Sequence, residues 1–239
     1  MIQSLRAAIL FLTRIPLPGG GNINPNALAT ATAWFPLIGI LIGAAMGGMG
    51  MVLLEWLDPM ITATLVVAFG VLLTGAMHED GLADAADGLG GGWNPAQRLE
   101  IMRDSRIGSY GGIAIVLAIM LRITTLAATP PGQWLTTLVV AHALARWAGV
   151  LLLRLPYART EGKAAPMIAG IRPWHGVVAS VTAVALAIAT SALITVAWVL
   201  FVVGLSSMWF RKKVGGITGD LLGAAIVITE LGILVLFST

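Results

Sequence analysis

The run His78-Glu79-Asp80-Gly81-Leu82-Ala83-Asp84-Ala85-Ala86-Asp87-Gly88 gathers four of the eleven carboxylates of a 239-residue chain into nine positions. Asp80, Asp84 and Asp87 stand at i, i+4 and i+7, a single face of a 3.6-residue helix. No Lys or Arg lies within the run, and the next cation along the chain is Arg98. Like charges one turn apart repel, so such a helix needs cations beside it or must raise the pKa of some of its carboxyl groups. Aspartate oxygens at this spacing are the hard ligands that Mg²⁺ or Mn²⁺ prefers, and Mg²⁺ is commonly shared between a few carboxylates and a substrate phosphate. A solvated acidic cap on a helix end is the alternative. The concentration of charge in an otherwise apolar chain favours the metal site.

The segment that follows adds phosphate-binding equipment. Gly88-Leu89-Gly90-Gly91-Gly92 lets backbone approach an anion closely and exposes N–H donors, although a glycine-rich loop alone is a weak signal. Asn94-Pro95 reads as a helix start, with Asn94 as N-cap and Pro95 in the first turn; Asn94 is also carried as a candidate phosphate contact. Arg103 and Arg106 lie one turn apart and flank Asp104. Guanidinium groups bind phosphate in fork geometry, whereas an ordinary topology anchor needs only charge. A carboxylate-bound metal facing paired arginines is the equipment of phosphoryl transfer, where positioning and charge neutralisation supply most of the catalysis.

The elements that must hold these residues are membrane helices. The chain is 58% hydrophobic and 10% charged, with a mean hydropathy of +0.92, far from the roughly one-quarter charged residues of soluble domains. Apolar stretches long enough to cross a bilayer, which takes about 20 residues each, fall at 28–53, 61–77, 111–129, 134–153, 176–192, 194–210 and 220–237. The uncharged block 176–210 would reach about 52 Å as one helix, well beyond a hydrocarbon core of about 30 Å, so it is read as two spans turning near Thr190-Ser191. The expected fold is therefore all-α, a polytopic bundle of seven transmembrane helices, with six as the alternative. Residues 1–239 form one transmembrane catalytic domain that carries the acidic motif on a cytoplasmic helix or loop.

Charge orients this bundle. Twelve of the fourteen Lys and Arg lie outside the spans (Arg6, Arg14, Arg98, Arg103, Arg106, Arg154, Arg159, Lys163, Arg172, Arg211, Lys212 and Lys213), and seven crossings put all twelve on one side. That is the positive-inside pattern, which places the N-terminus and the acidic motif in the cytoplasm. The net charge of +3 thus reports topology and a phosphorylated substrate rather than nucleic acid.

Other features have ordinary readings. Ala7 to Leu12 is apolar, but Arg14 follows at once without a cleavage site, so an interfacial helix is expected rather than a signal peptide, leading through Ile15-Pro16-Leu17-Pro18 to a glycine turn. The absence of cysteine excludes disulfides and thiolate chemistry. Gly39, Gly43 and Gly47 mark a close helix contact. Trp56, Trp134, Trp174 and Trp209, at span ends, read as an interfacial belt. Arg122, Arg146 and Glu230 fall inside spans, where an ion pair and a substrate role are both open. His142 and His175 show no ligand spacing.

The run from His78 to Gly92 and that from Arg98 to Gly111 (RLEIMRDSRIGSYG) resemble the cobalamin synthase family, the adenosylcobinamide-GDP ribazoletransferases. FLTRIPLP (Phe11 to Pro18), LARW (Leu144 to Trp147), YARTEGKAA (Tyr157 to Ala165) and GGITGDLLGA (Gly215 to Ala224) support the same resemblance, which spans nearly the whole chain. It implies a multi-pass, Mg²⁺-dependent enzyme of the bacterial inner membrane with its active site facing the cytoplasm. Its substrates would be adenosylcobinamide-GDP and α-ribazole or its 5′-phosphate; a ribose hydroxyl attacks phosphorus and GMP leaves. On that reading Asp80, Asp84 and Asp87 hold Mg²⁺, with Glu79 and Asp104 as further ligands. Asp84, Asp80, Glu79 or His78 would serve catalysis and proton transfer. Arg103 and Arg106 would hold the diphosphate, with Arg14 and Asp220 as additional candidates. Membrane lipid is the surrounding partner, and monomer or homo-oligomer stays open. Two other functions compete. A CDP-alcohol phosphotransferase would need Asp-Gly-x-x-Ala-Arg, but here Leu82-Ala83-Asp84-Ala85 follows Gly81. A cation transporter would place its charges near the midplane on broken helices.

Overall fold

The computed structural model describes residues 2–17, 24–159 and 168–239; the expected glycine turn after Pro18 and the Thr160 to Ala165 part of the YARTEGKAA motif, with Lys163, lie outside them. The described chain is helical: α1 (Ile2–Leu12), α2 (Pro25–Ala31), α3 (Phe35–Leu53), α4 (Pro59–Thr74), α5 (Met77–Gly91), α6 (Pro95–Ile101), α7 (Ser109–Ala128), α8 (Trp134–Leu152), α9 (Pro173–Ala189), α10 (Leu193–Val214) and α11 (Gly219–Ser238). The all-α, multi-pass reading of the sequence is therefore met. Of the two counts expected, the lower alternative of six is the most that the structure allows. Among the described residues five helices are long and apolar enough to cross a membrane: the one containing α3, and α7, α8, α10 and α11. At 16 residues, α4 rises about 24 Å, short of a core of about 30 Å, and makes a sixth only together with α5. Helix α9 has 17 residues. The uncharged block does divide as expected: Ser191 takes a left-handed φ of 55° between α9 and α10.

Close packing is set by small residues. A Cβ on Gly39 or Gly43 would run into the His142 or Leu138 carbonyl oxygen of α8, so only glycine allows this approach of α3. Trp134 departs from the belt reading. It is fully buried, its indole donates to the Thr129 carbonyl at 2.9 Å, and its ring fills the space beside Gly50. Trp56, Trp174 and Trp209 are exposed as a belt requires.

Glu230 on α11 accepts from Arg122 Nε on α7 at 2.8 Å and from Arg146 Nη1 on α8 at 3.4 Å. The other arm of Arg122 reaches Glu79 on α5, and His142 Nδ1 lies 2.7 Å from Arg146 Nη1. Two carboxylates and two guanidinium groups balance, all of them buried, and the network pins α5 to three other helices. Sequence left Glu230 between an ion pair and a substrate role; the ion pair is what forms. Removing one member of such a buried pair strands a charge, at about 3–5 kcal/mol. Glu230→Ala is therefore expected to lower the melting temperature of the detergent-solubilised protein sharply and Glu230→Gln by less, read by thermal denaturation; equal, small shifts would refute this.

Candidate active site

Helix α5 is set across the end of the bundle by a corner. Gly75 (φ 68°) and Ala76 (φ 57°) are both left-handed, and α5 leaves α4 at 88°. A non-glycine residue at positive φ is uncommon and costs energy, so the corner is held by its surroundings. Arg14 supplies part of that: its backbone N–H donates to the Leu73 carbonyl at 2.7 Å, and its side chain lies directly over Gly75. Farther along, Gly81 packs on Gly223 of α11, where a Cβ would meet the Asp220 backbone at 3.0 Å. This crossing carries Asp220 to the acidic face.

Along that face burial increases: Asp80 is exposed, Asp84 half-buried and Asp87 buried. Asp87 Oδ2 accepts from Gly108 N at 2.8 Å and Oδ1 from Gly111 N at 2.9 Å. Both donors are unpaired amides at the start of α7, so Asp87 caps that helix and meets its positive end. Asp84 has no such partner. Burial, and then the neighbouring charges of Asp80, Asp220 and Asp87, push its carboxyl up to about 6, against the opposing pull of Arg159.

Arg159, one of the twelve cations outside the expected spans, is the one that reaches this face. Ile217 N donates to the Pro156 carbonyl and Ala158 N to the Ile217 carbonyl, each at 2.9 Å. This short bridge places Arg159 Nη2 2.6 Å from Asp220 Oδ2, which also accepts from the Thr218 hydroxyl at 3.3 Å. The only sequence signal was that both residues sit in motifs carrying the family resemblance. Arg98 donates to the Lys213 carbonyl, so the basic connections before α5, after α6, after α8 and after α10 meet at one end of the bundle.

The remaining nominated residues separate. Glu79 turns into the buried Arg122 network, and His78 is buried beside it. Asp104 is engaged by Arg106, whose Nη2 lies 2.6 Å away; the Arg106 side chain and backbone N–H hold its carboxyl down at about 2. Asn94 serves as the N-cap of α6, its Oδ1 accepting from Gln97 N at 3.0 Å. Arg103 is exposed. Among the described residues no group of three or more His, Asp or Glu is arranged to hold a metal ion as it stands. Of the five expected ligands, Asp80 and Asp84 alone remain on the open face, joined by Asp220. Asp220 is held by Arg159, which leaves Asp80 and Asp84 as hard oxygen donors, and Mg²⁺ often takes only one or two carboxylates plus substrate phosphates.

For Arg103 and Arg106, a conservative swap separates phosphate binding from topology. Fork geometry is lost in lysine while charge is kept. At least one of Arg103→Lys and Arg106→Lys is expected to lose about tenfold in rate, the order of one charge-assisted hydrogen bond. Catalytic turnover measures it; normal rates in both would move phosphate binding to Arg14 and Arg159.

Beneath Asp80 and Asp220 opens a cavity of about 200 Å³ between α1, α3, α5 and α11, with Leu12, Phe35, Leu222 and Ile226 in its walls. Phe11 and Phe35, both lining it, stack at 5.7 Å with an interplanar angle of 11°.

Residues 4–238 match the family model of cobalamin-5-phosphate synthase. A relative from Ralstonia pickettii (strain 12J), named adenosylcobinamide-GDP ribazoletransferase, is 42% identical over 241 residues, covering 97% of this chain and 93% of its own. Another of that name, from Shewanella piezotolerans, is 37% identical, covering 94% and 90%. No solved structure matches the chain.

Proposed function

The chain belongs to the cobalamin-5-phosphate synthase family, a family of enzymes, and we propose that it joins α-ribazole or its 5′-phosphate to adenosylcobinamide-GDP with release of GMP. The observation that carries this reading is the family match across nearly the entire chain, which also sets aside the CDP-alcohol phosphotransferase and the transporter. The site supports it with an open carboxylate face beside arginines on gathered loops.

In this reading Asp80 and Asp84 would hold Mg²⁺, with Asp220 as the third carboxylate at hand, and the ion would supply the charge neutralisation that phosphoryl transfer needs. The ribose hydroxyl of the acceptor attacks the phosphorus on the cobinamide side. Its bond to the oxygen bridging toward guanosine breaks, GMP departs with that oxygen, and the hydroxyl proton passes to a carboxylate of the Asp80–Asp84 pair. Arg103, Arg106 and Arg14 hold the diphosphate from the loops around the acidic helix. Asp87 has a different part: by capping α7 it fixes the far end of α5, as Glu79 and Arg122 fix the near one, so that Asp80 and Asp84 keep one orientation.

The basic connections collected at the acidic end support an active site on the cytoplasmic face of the bacterial inner membrane. The test is direct. Purified protein in lipid nanodiscs, given adenosylcobinamide-GDP and α-ribazole, is expected to release GMP and form the joined corrinoid. Absence of GMP, with the protein folded and divalent cation supplied, would overturn the assignment.

A further inference from the structure

We propose that the cavity under Asp80 and Asp220 receives the apolar aromatic base of the acceptor nucleoside and leaves its ribose at the carboxylate face. The proposal rests on the transfer reaction above and adds where and how its acceptor binds.

Among the described residues that line the cavity there is no Lys or Arg, while Asp80 and Asp220 stand in its wall. The guanidinium groups proposed to hold the diphosphate stand outside the cavity, on the loops, so nothing within it is built to take a phosphate. An anionic lipid head is disfavoured for the same reason. What the cavity accepts is flat and apolar. Leu12, Phe35 and Ile226 are buried and hydrophobic, and the Phe11–Phe35 pair presents stacked rings, against which an aromatic ring packs face or edge. An apolar cavity of about 150 Å³ already admits benzene; at about 200 Å³, with Asp80 in its wall, this one takes a larger ring system. A base with few hydrogen-bonding groups suits such walls, because each polar group carried in without a partner weakens binding. Finally, the cavity shares Asp80 with the catalytic face, so a base seated in it puts the attached sugar beside the group proposed to receive the hydroxyl proton.

Two variants narrow or strip the cavity. Leu222→Trp fills it, and Phe11→Leu removes one ring of the stack. In each, the KM for α-ribazole is expected to rise about tenfold or more, while the KM for adenosylcobinamide-GDP stays within about twofold. With wild type, the riboside of unmethylated benzimidazole should lose about fifteenfold in kcat/KM relative to the dimethyl form, from two methyl groups at about fourfold each. Leu222→Trp should shrink that preference because the smaller base fits the narrowed space. Equal shifts in both KM values, or none, would overturn the proposal. Equilibrium dialysis with free 5,6-dimethylbenzimidazole gives a readout that needs no turnover: wild type binds it and Leu222→Trp does not. If wild type binds the base but releases no GMP, the transferase reading fails and the pocket stands. If both proteins bind the base equally, or the variant only sheds a co-purified lipid, the pocket assignment fails whatever the activity. Phe11→Leu carries the same measurements should Leu222→Trp not insert.

Discussion

Replacing Asp84 by asparagine is expected to reduce GMP release by at least about a hundredfold while leaving the protein folded and inserted. Asp84 sits between Asp80 and Asp87 on the acidic face, and its carboxyl is driven up by burial and by the charges of Asp80, Asp220 and Asp87. That environment disfavours a lone anion and favours one neutralised by a divalent cation. Asparagine keeps the shape of the side chain, removes the repulsion, and gives up most of its affinity for a hard cation. The packing of α5 against α11 rests on Gly81 and Gly223 rather than on Asp84, so stability should not fall. The magnitude follows from the several kcal/mol that a metal contributes to a phosphoryl-transfer transition state, at about 1.4 kcal/mol for each tenfold in rate. Wild-type turnover in Asp84→Asn, at limiting Mg²⁺ and saturating nucleotide, would remove this residue from the mechanism. The same change at Asp87 should act differently. Asp87 accepts two backbone N–H groups at the start of α7, so Asp87→Asn is expected to lower thermal stability as well as rate.

Removing the divalent cation is the second large effect expected. Carboxylates and a diphosphate gathered at one face repel unless a hard, oxygen-loving ion lies between them. Excess EDTA should therefore stop GMP release, and Mg²⁺ or Mn²⁺ added back should restore it. A second measurement keeps this independent of turnover. Together with adenosylcobinamide-GDP, Mg²⁺ should raise the melting temperature of wild type, because a ligand that binds only the folded state stabilises it by mass action. That increment should shrink in Asp84→Asn. Full activity in excess chelator would sink the metal reading and leave Arg14, Arg103, Arg106 and Arg159 as the charge-neutralising groups.

What the sequence settled by itself was local. The i, i+4, i+7 spacing of Asp80, Asp84 and Asp87 becomes helix α5, because a helix depends on neighbours within four residues. Asn94-Pro95 starts α6 with the cap that its side chain implies. Gly39 and Gly43 meet α8, since a missing Cβ has the same steric meaning in any context. The break near Ser191 follows from the length of the bilayer core. The motifs that carry the family resemblance were also legible, because they are runs of residues. Tertiary structure decided which charges meet. Glu79 and Asp80 are adjacent in sequence, yet Glu79 enters a buried network with Arg122 while Asp80 faces the open site; a turn of about 100° per residue sends neighbours to different helices. Asp104, expected as a ligand, pairs with Arg106. Asp87 becomes the cap of α7, a role set by where that helix begins in space. Arg159 and Asp220 lie 61 residues apart and meet because a short bridge ties the segment after α8 to the start of α11. Trp134, placed by the sequence at a membrane interface, is buried because a glycine on α3 leaves room for its ring. Periodicity and capping are short-range and written in the chain, whereas the partner of a charge depends on which helix ends the packing brings together.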